Sequence, residues 1–263
     1  MRHQTTCFRL LLLVLMSLFF SLTVMAQSPS APLSGSSARR TALIIGNAAY
    51  QESPLRHPIN DASDMNETLK KLHFETALLR NATFEQMDNA IDAFGRKLRQ
   101  GGVGLFYYTG HGVQIEGQNY LIPVDTPLQS PSKVKYRAVP VHGLLERMAD
   151  AGNKLNIIVL DACRDHVLTR SWPQRGLAVM QAAIGSLIAY STVPGEIVLD
   201  GSERNGVYTK HLLRHITQRG ITVEELFKRV RMGVKEETKG KQIPWESSSL
   251  VGDFYFAPTE VNP

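Results

Sequence analysis

The chain has 263 residues, 43% of them hydrophobic and 20% charged, which is enough for one sizeable core and ordinary for a globular enzyme. Its net charge is +5, and no block of lysine or arginine stands out. Such a mild charge gives no support for nucleic-acid binding, so we expect no nucleic-acid partner.

The first 26 residues have the pattern of a secretory signal peptide. Arg2 and Arg9 precede an apolar run from Leu10 to Phe20, and small residues lead to a predicted cleavage site after Ala26. The alternative is an uncleaved membrane anchor, which the shortness of the apolar run disfavours. We therefore expect a secreted or periplasmic protein with no membrane contact after cleavage.

Cleavage would leave Cys163 as the sole cysteine, because Cys7 lies within the signal peptide. It would also remove two arginines and no acid, which lowers the net charge from +5 to +3. A single thiol in an oxidising compartment forms no internal disulfide, and it is either reactive or buried and inert.

A linker rich in serine, proline and glycine is predicted for residues 27–38, followed by one folded domain over residues 39–257 and a tail at 258–263. Buried strands alternate with amphipathic helices, which predicts a single α/β domain with a mostly parallel sheet and helices on both faces. The predicted strands cover residues 41–47, 74–79, 103–109, 155–161, 186–191 and 254–256. The predicted helices cover about 60–72, 84–98, 141–149, 207–218 and 223–235, with a hairpin at 113–122 and an irregular connection at 123–139.

Two of these strands end in residues suited to nucleophilic catalysis. One leads into Gly110-His111-Gly112 and the other into Asp161-Ala162-Cys163. Open α/β sheets place ligand sites at the carboxyl ends of their strands. His111 and Cys163 are 52 residues apart, which leaves room for one crossover connection. If the strands are neighbours, the imidazole can take the proton of the thiol and produce a thiolate nucleophile.

The glycines on either side of His111 let the backbone turn sharply and let a substrate approach closely. The backbone N–H groups of Gly112 and Cys163 are then candidate oxyanion donors for a carbonyl under attack. Taken alone, a cysteine at a strand end is more often structural. The histidine motif, the spacing and the shared sheet edge together favour catalysis.

At these residues the chain resembles the caspase-like cysteine peptidases of family C14, in particular the bacterial metacaspase-like and paracaspase-like branch. Residues 107–112 and 160–164 are similar to the family's histidine and cysteine motifs, and residues 42–47, 55–62 and 120–125 also match. The resemblance covers roughly residues 39–256. It implies a caspase-like three-layer sandwich with a six-stranded sheet, in which Cys163 is the nucleophile and His111 the general base and acid.

The resemblance also implies a preference for basic substrates. Caspases carry glutamine where this chain has Asp161 and cleave after aspartate, whereas the metacaspase and paracaspase branch has an acid there and cleaves after arginine or lysine. The pocket acids of that branch match Asp61, Asp161 and Asp200. Clustered carboxylates select a guanidinium by charge and by bidentate pairing. The alternatives are that Asp61 only caps a helix, Asp161 only ends its strand and Asp200 is a solvated loop residue.

No metal site and no cofactor are predicted, although some members of the family need calcium, so calcium activation stays open. His211 and His215 have a spacing compatible with metal binding but no third ligand, which predicts a solvated helix face. Caspase-like enzymes often cleave themselves after the cysteine strand. Arg164, Arg170 and Arg175 lie in the corresponding stretch.

The leading interpretation is a secreted or periplasmic Cys-His endopeptidase that acts on a protein or peptide substrate with arginine or lysine before the cleaved bond. One alternative is a catalytically silent caspase-fold module that binds or regulates. The other is a different Cys-His amide hydrolase. Both dyad residues are present, which gives no support to the silent module.

Overall fold

The computed structural model describes residues 38–127, 131–163, 176–193 and 203–259. All of them belong to the second of the two units into which the chain divides, residues 32–263. The predicted signal peptide and all of the predicted linker except Ala38 lie outside the described residues.

The central strands of the sheet are buried on both faces, whereas the edge strands are partly exposed. In the described residues the strands are β1 (Arg40–Gly46), β2 (Glu75–Arg80), β3 (Val103–Ile115), β4 (Gln118–Leu121), β5 (Val139–Pro140), β6 (Leu155–Cys163), β7 (Ser186–Tyr190) and β8 (Trp245–Ser248). The main sheet has the order β2-β1-β3-β6-β7-β8, and β8 is its one antiparallel strand. β4 and β5 form an antiparallel extension beside the far end of β3.

Six helices are described: α1 (Pro58–Lys71), α2 (Phe84–Leu98), α3 (Pro131–Arg137), α4 (Val141–Asp150), α5 (Val207–Ile216) and α6 (Val223–Glu237). Thr83 and Gln86 form the predicted capping box at the start of α2, and Thr222 caps α6. None of the helices in the described part of the chain has the length and apolarity needed to cross a bilayer.

Two apolar clusters on opposite faces of the sheet hold the layers together. Helices α1, α5 and α6 bury residues such as Met65 and Phe227 on one face. Helices α2 and α4 bury residues such as Ile91 and Leu144 on the other. Each such side chain contributes about 1.5–3 kcal/mol when it leaves water. The predicted three-layer α/β sandwich with six strands in its main sheet is confirmed.

The identity of the last strand was predicted wrongly. Residues 254–256 are not a strand, although Phe254 and Phe256 are buried against the core. The antiparallel edge strand is instead Trp245–Ser248, which pairs with β7. The residues of β8 are only partly buried, because an edge strand has one side open to solvent. The sequence of β8 therefore contains no apolar run that would indicate a strand.

Two further differences lie close to the end of β3. The predicted irregular connection at 123–139 contains α3, whose Val134 packs with Val113 and Tyr120 in a small third cluster. β3 itself continues six residues beyond the predicted Thr109, through the histidine motif and into the hairpin. His111 therefore lies within a continuous strand, which restricts its backbone more than a loop would.

Candidate active site

His111 and Cys163 lie side by side on two neighbouring strands. β3 and β6 pair in parallel from Val103 opposite Leu155 to His111 opposite Cys163. Adjacent strands are about 4.8 Å apart, so the backbone alone brings the imidazole-bearing residue next to the thiol-bearing one. The predicted neighbourhood of the two strands is therefore present, and the two residues are direct partners in the ladder.

Two tyrosine hydroxyls hold the backbone of His111 on both of its sides. The hydroxyl of Tyr50 accepts a hydrogen bond from the His111 N–H at 3.0 Å, and the hydroxyl of Tyr108 donates to the His111 carbonyl at 2.7 Å. Tyr50 also lies 2.9 Å from the carbonyl oxygen of Ile122, to which its own proton can be donated. Both tyrosines are buried, so these bonds are shielded from competing water.

The imidazole ring of His111 is oriented by the loop between β1 and α1. Its Nε2 lies 2.7 Å from the carbonyl oxygen of Ser53. A carbonyl only accepts, so Nε2 carries the proton of the neutral ring and Nδ1 is the basic nitrogen. The ring of Tyr50 packs against the imidazole with 4.3 Å between ring centroids. These contacts select one tautomer and one orientation of the ring.

Asn81 anchors the loop that carries Tyr50 and Ser53. Its side-chain Oδ1 accepts hydrogen bonds from the backbone N–H groups of Ala48 at 2.9 Å and Ala49 at 3.0 Å. Asn81 has a φ of 51°, a left-handed conformation that asparagine tolerates better than most residues. The support of His111 thus extends to the turn after β2.

The glycines that flank His111 are required because neighbouring atoms lie too close to their backbone for a side chain to fit. A Cβ on Gly110 would lie 2.7 Å from the hydroxyl oxygens of both Tyr50 and Tyr108. A Cβ on Gly112 would lie 2.8 Å from the Cβ of Ala162, on the strand of the cysteine. Any larger residue would displace either the tyrosine pair or the strand that carries Cys163.

Two of the predicted pocket acids converge on one point. Asp61 of α1 and Asp161 of β6 are only 2% and 3% exposed. A Cβ on Gly206 would lie 3.3 Å from Oδ2 of Asp61 and 4.0 Å from Oδ2 of Asp161. Because Gly206 has no side chain, space remains between the carboxyl groups of Asp61 and Asp161. Asp161 lies two residues before Cys163, so this space is close to the cysteine in the chain.

Each acid has its own hydrogen-bond donors. Asp61 Oδ1 accepts from the side chain of Asn205 at 2.9 Å and from the backbone N–H of Gly206 at 3.1 Å. Asp161 Oδ2 accepts from the hydroxyl of Thr209 at 2.8 Å. Burial, and then the charge of Asp161, raise the pKa of Asp61 to about 8. A cation bound between the two acids would favour the ionised form of both.

The simpler roles considered for these acids are contradicted. Helix α1 begins at Pro58 with His57 as its N-cap, so Asp61 does not cap it. Strand β6 continues through Asp161 to Cys163, so Asp161 does not end it. Asp200 lies outside the described residues, as do Arg164, Arg170 and Arg175.

The short segment before α5 closes one side of the acid pair. Arg204 forms a bidentate ion pair with Asp64 of α1 at 2.8 and 2.9 Å, and Asn205 also donates to Asp64 at 3.0 Å. Asn60 donates to the carbonyl of Arg204 at 3.1 Å. These residues are about 140 positions apart in the chain, and no local pattern in the sequence indicates their contact.

The predicted solvated face of His211 and His215 is wrong for His211. His211 is buried, and its Nε2 lies 2.8 Å from Oε2 of Glu237 on α6. His215 is half-buried, which lowers its pKa. Over the described ranges no group of three or more His, Cys, Asp or Glu side chains is arranged to hold a metal ion.

Known proteins resemble this chain over most of its length. The caspase-domain model of peptidase family C14 matches residues 39–255. The human mucosa-associated lymphoid tissue lymphoma translocation protein 1 is 33% identical in an alignment of 222 residues that covers 80% of this chain and 26% of that protein. Its mouse homolog is 32% identical with the same coverage. The chain thus spans about a quarter of the length of the curated relatives it matches.

Proposed function

Because the chain belongs to the caspase-domain family of C14 peptidases, we propose that it is a cysteine endopeptidase that cleaves after arginine or lysine. The observation that carries the proposal is the pairing of His111 with Cys163 across adjacent parallel strands. A histidine beside a cysteine, oriented by a third group, is the arrangement that nucleophilic catalysis needs. Here the third group is the carbonyl of Ser53.

The proposed reaction begins with transfer of the Cys163 thiol proton to Nδ1 of His111. The thiolate attacks the carbonyl carbon of the scissile bond, and the N–H groups of Gly112 and Cys163 stabilise the oxyanion, each worth ~3 kcal/mol. His111 then gives its proton to the leaving amine, which departs and leaves a thioester. Water, deprotonated by His111, hydrolyses the thioester and restores the thiol.

The choice of a basic side chain is supported by Asp61 and Asp161. Both are buried and both border the space at Gly206. A buried pair of carboxyl groups is unfavourable when both are ionised, and a guanidinium or ammonium between them relieves that repulsion. An aspartate side chain would instead add negative charge beside the two acids, so cleavage after aspartate is disfavoured.

Cleavage of matched fluorogenic peptides tests this function. The peptides carry arginine, lysine, citrulline or aspartate before the cleaved bond; citrulline has nearly the shape of arginine without its charge. We expect cleavage of the arginine and lysine peptides only, and its loss in Cys163→Ala and His111→Ala. Preference for the aspartate peptide would contradict the pocket assignment.

An acyloxymethyl ketone that carries arginine separates the alternative functions. Covalent labelling at Cys163 supports the peptidase. A protein that reacts with neither this probe nor a simple alkylating agent would be a silent binding module. Reaction with the alkylating agent alone would indicate a Cys-His hydrolase that acts on other amides.

Export and maturation are proposed on the basis of sequence. Residues 1–26 are expected to be removed, and self-cleavage is expected after Arg164, Arg170 or Arg175. Mass spectrometry of the protein recovered from the medium or periplasm, with and without calcium, identifies the new termini and any requirement for the ion. An intact Met1 terminus on the exported protein would contradict the proposed cleavage.

A further inference from the structure

Thr209 lies between Asp161 and Tyr107 in the interior of the domain. Its Oγ1 is 2.8 Å from Oδ2 of Asp161 and 2.6 Å from the hydroxyl oxygen of Tyr107. A carboxylate only accepts, so the single hydroxyl proton of Thr209 goes to Asp161 and the oxygen of Thr209 accepts from Tyr107. The three residues come from α5, β6 and β3, so the chain of bonds joins three elements of the fold.

We propose that Tyr107 and Thr209 form a buried hydrogen-bond relay that orients the Asp161 carboxylate towards the substrate pocket. Thr209 is then a positioning residue for recognition of the basic side chain, not a group that contacts the reacting atoms. The inference rests on the proposed function, because it concerns the pocket of that same site.

The hydrogen bonds of the relay run from Tyr107 through Thr209 to Asp161, because the phenol of Tyr107 keeps its proton. Tyr107 is fully buried, and burial followed by the negative charges of Asp61 and Asp161 holds the pKa of its phenol well above the ordinary value. The phenol therefore remains a donor over the whole range in which a peptidase works. Consecutive donors polarise one another, and a bond to a carboxylate is stronger than one between neutral groups.

The relay supports Asp161 separately from Asp61. The donors to Asp61 are Asn205 and the backbone of Gly206, which precede α5. Thr209 lies in the first turn of α5 and is fully buried. Removal of the Thr209 hydroxyl thus takes away a donor to Asp161 and leaves the two donors to Asp61 in place.

Arginine and citrulline peptides, used with three variants of the full chain, test the relay. Thr209→Val keeps the shape of the side chain and removes its hydroxyl, whereas Thr209→Ser keeps the hydroxyl. We expect Thr209→Val to raise KM for the arginine peptide about tenfold with little change in kcat, the effect of one charge-assisted bond. We expect Thr209→Ser to behave like the wild type and Tyr107→Phe to show a smaller rise.

Alkylation of Cys163 by iodoacetamide, followed by peptide mass spectrometry, reports the nucleophile independently of the pocket. Its rate should be the same in Thr209→Val and the wild type. The relay is disproved if Thr209→Val keeps the wild-type ratio of arginine to citrulline cleavage, or if Thr209→Ser loses that ratio equally. A wild type that does not distinguish arginine from citrulline would instead contradict the proposed function itself.

Discussion

The hydroxyl of Tyr50 lies 3.0 Å from the backbone nitrogen of His111 and accepts its hydrogen bond, while the rings of the two residues lie 4.3 Å apart. One tyrosine therefore holds both the backbone and the imidazole of the proposed catalytic base. The carbonyl of Ser53, three residues further along the same loop, holds the ring through its Nε2 atom.

We expect Tyr50→Phe to lower kcat about tenfold and to leave KM nearly unchanged, because the His111 N–H loses its acceptor while the pocket acids are untouched. The unsatisfied N–H should also lower the free energy of unfolding by about 1–3 kcal/mol. Peptide cleavage and urea denaturation measure the two effects. Tyr136→Phe is the control, since Tyr136 is 80% exposed and should change neither quantity.

Asp61 should make the stability of the substrate-free protein depend on pH. Its pKa rises from 3.8 in the unfolded chain to about 8 in the folded protein. The folded state therefore holds a proton that the unfolded state releases between these values, and stability from this group falls as the pH rises from about 4 to 8. Asp61→Asn removes this pH dependence. The Tm of the variant minus that of the wild type should therefore increase as the pH rises from about 4 to 8.

Asp64→Asn is the control, because the pKa of Asp64 is shifted in the opposite direction to that of Asp61. Hydrogen bonding and the charge of Arg204 lower the pKa of Asp64 despite partial burial. Its contribution to stability is present at neutral pH and is lost as the pH falls through the lowered value. Asp64→Asn should therefore be less stable than the wild type at pH 7 and approach it in acid, as measured by thermal unfolding over a pH series.

Gly206→Ala should narrow the space between the two acids without disturbing the backbone. Gly206 has a φ of −59°, which alanine adopts freely, but the new methyl would lie 3.3 Å from Asp61. We expect KM for the arginine peptide to rise at least about tenfold, with an unchanged rate of Cys163 alkylation. Gly95→Ala, on helix α2 and 3.7 Å from the nearest atom, is the matched control and should leave KM unaltered.

Arg40 is expected to stabilise the domain by joining the C-terminal segment to β1. Its guanidinium donates to the carbonyl oxygens of Phe256 at 2.7 Å, Leu72 at 3.2 Å and Tyr255 at 3.2 Å. A lysine cannot reproduce this fork, so Arg40→Lys should lower the free energy of unfolding by about 1–3 kcal/mol. Arg39→Lys, at the exposed neighbouring position, should cost much less in the same urea titration.

The sequence predicted the strands that carry His111 and Cys163 because a strand buried on both faces leaves a continuous apolar run. The run from Val103 to Tyr108 is such a signal, and burial of all its residues matches it. The edge strand at Trp245–Ser248 leaves none, since half of it faces water and its residues are mixed. Phe254 and Phe256 suggested a strand because two apolar residues separated by one position are typical of a strand. The same spacing occurs here in a segment that is buried but not paired as a strand.

Local patterns in the sequence identify the residues that are proposed to carry the chemistry: a histidine and a cysteine on neighbouring strands, and an acid two residues before the cysteine. These signals are local, because a motif and the strand that precedes it are adjacent in the chain. The contacts that hold these residues in place are visible only in the three-dimensional structure: Tyr50 and Ser53 contact His111, and Thr209 donates to Asp161. These contacts join residues 48–61 positions apart. Hydrogen bonds between such distant elements depend on their relative directions in the fold, which no local period or composition encodes.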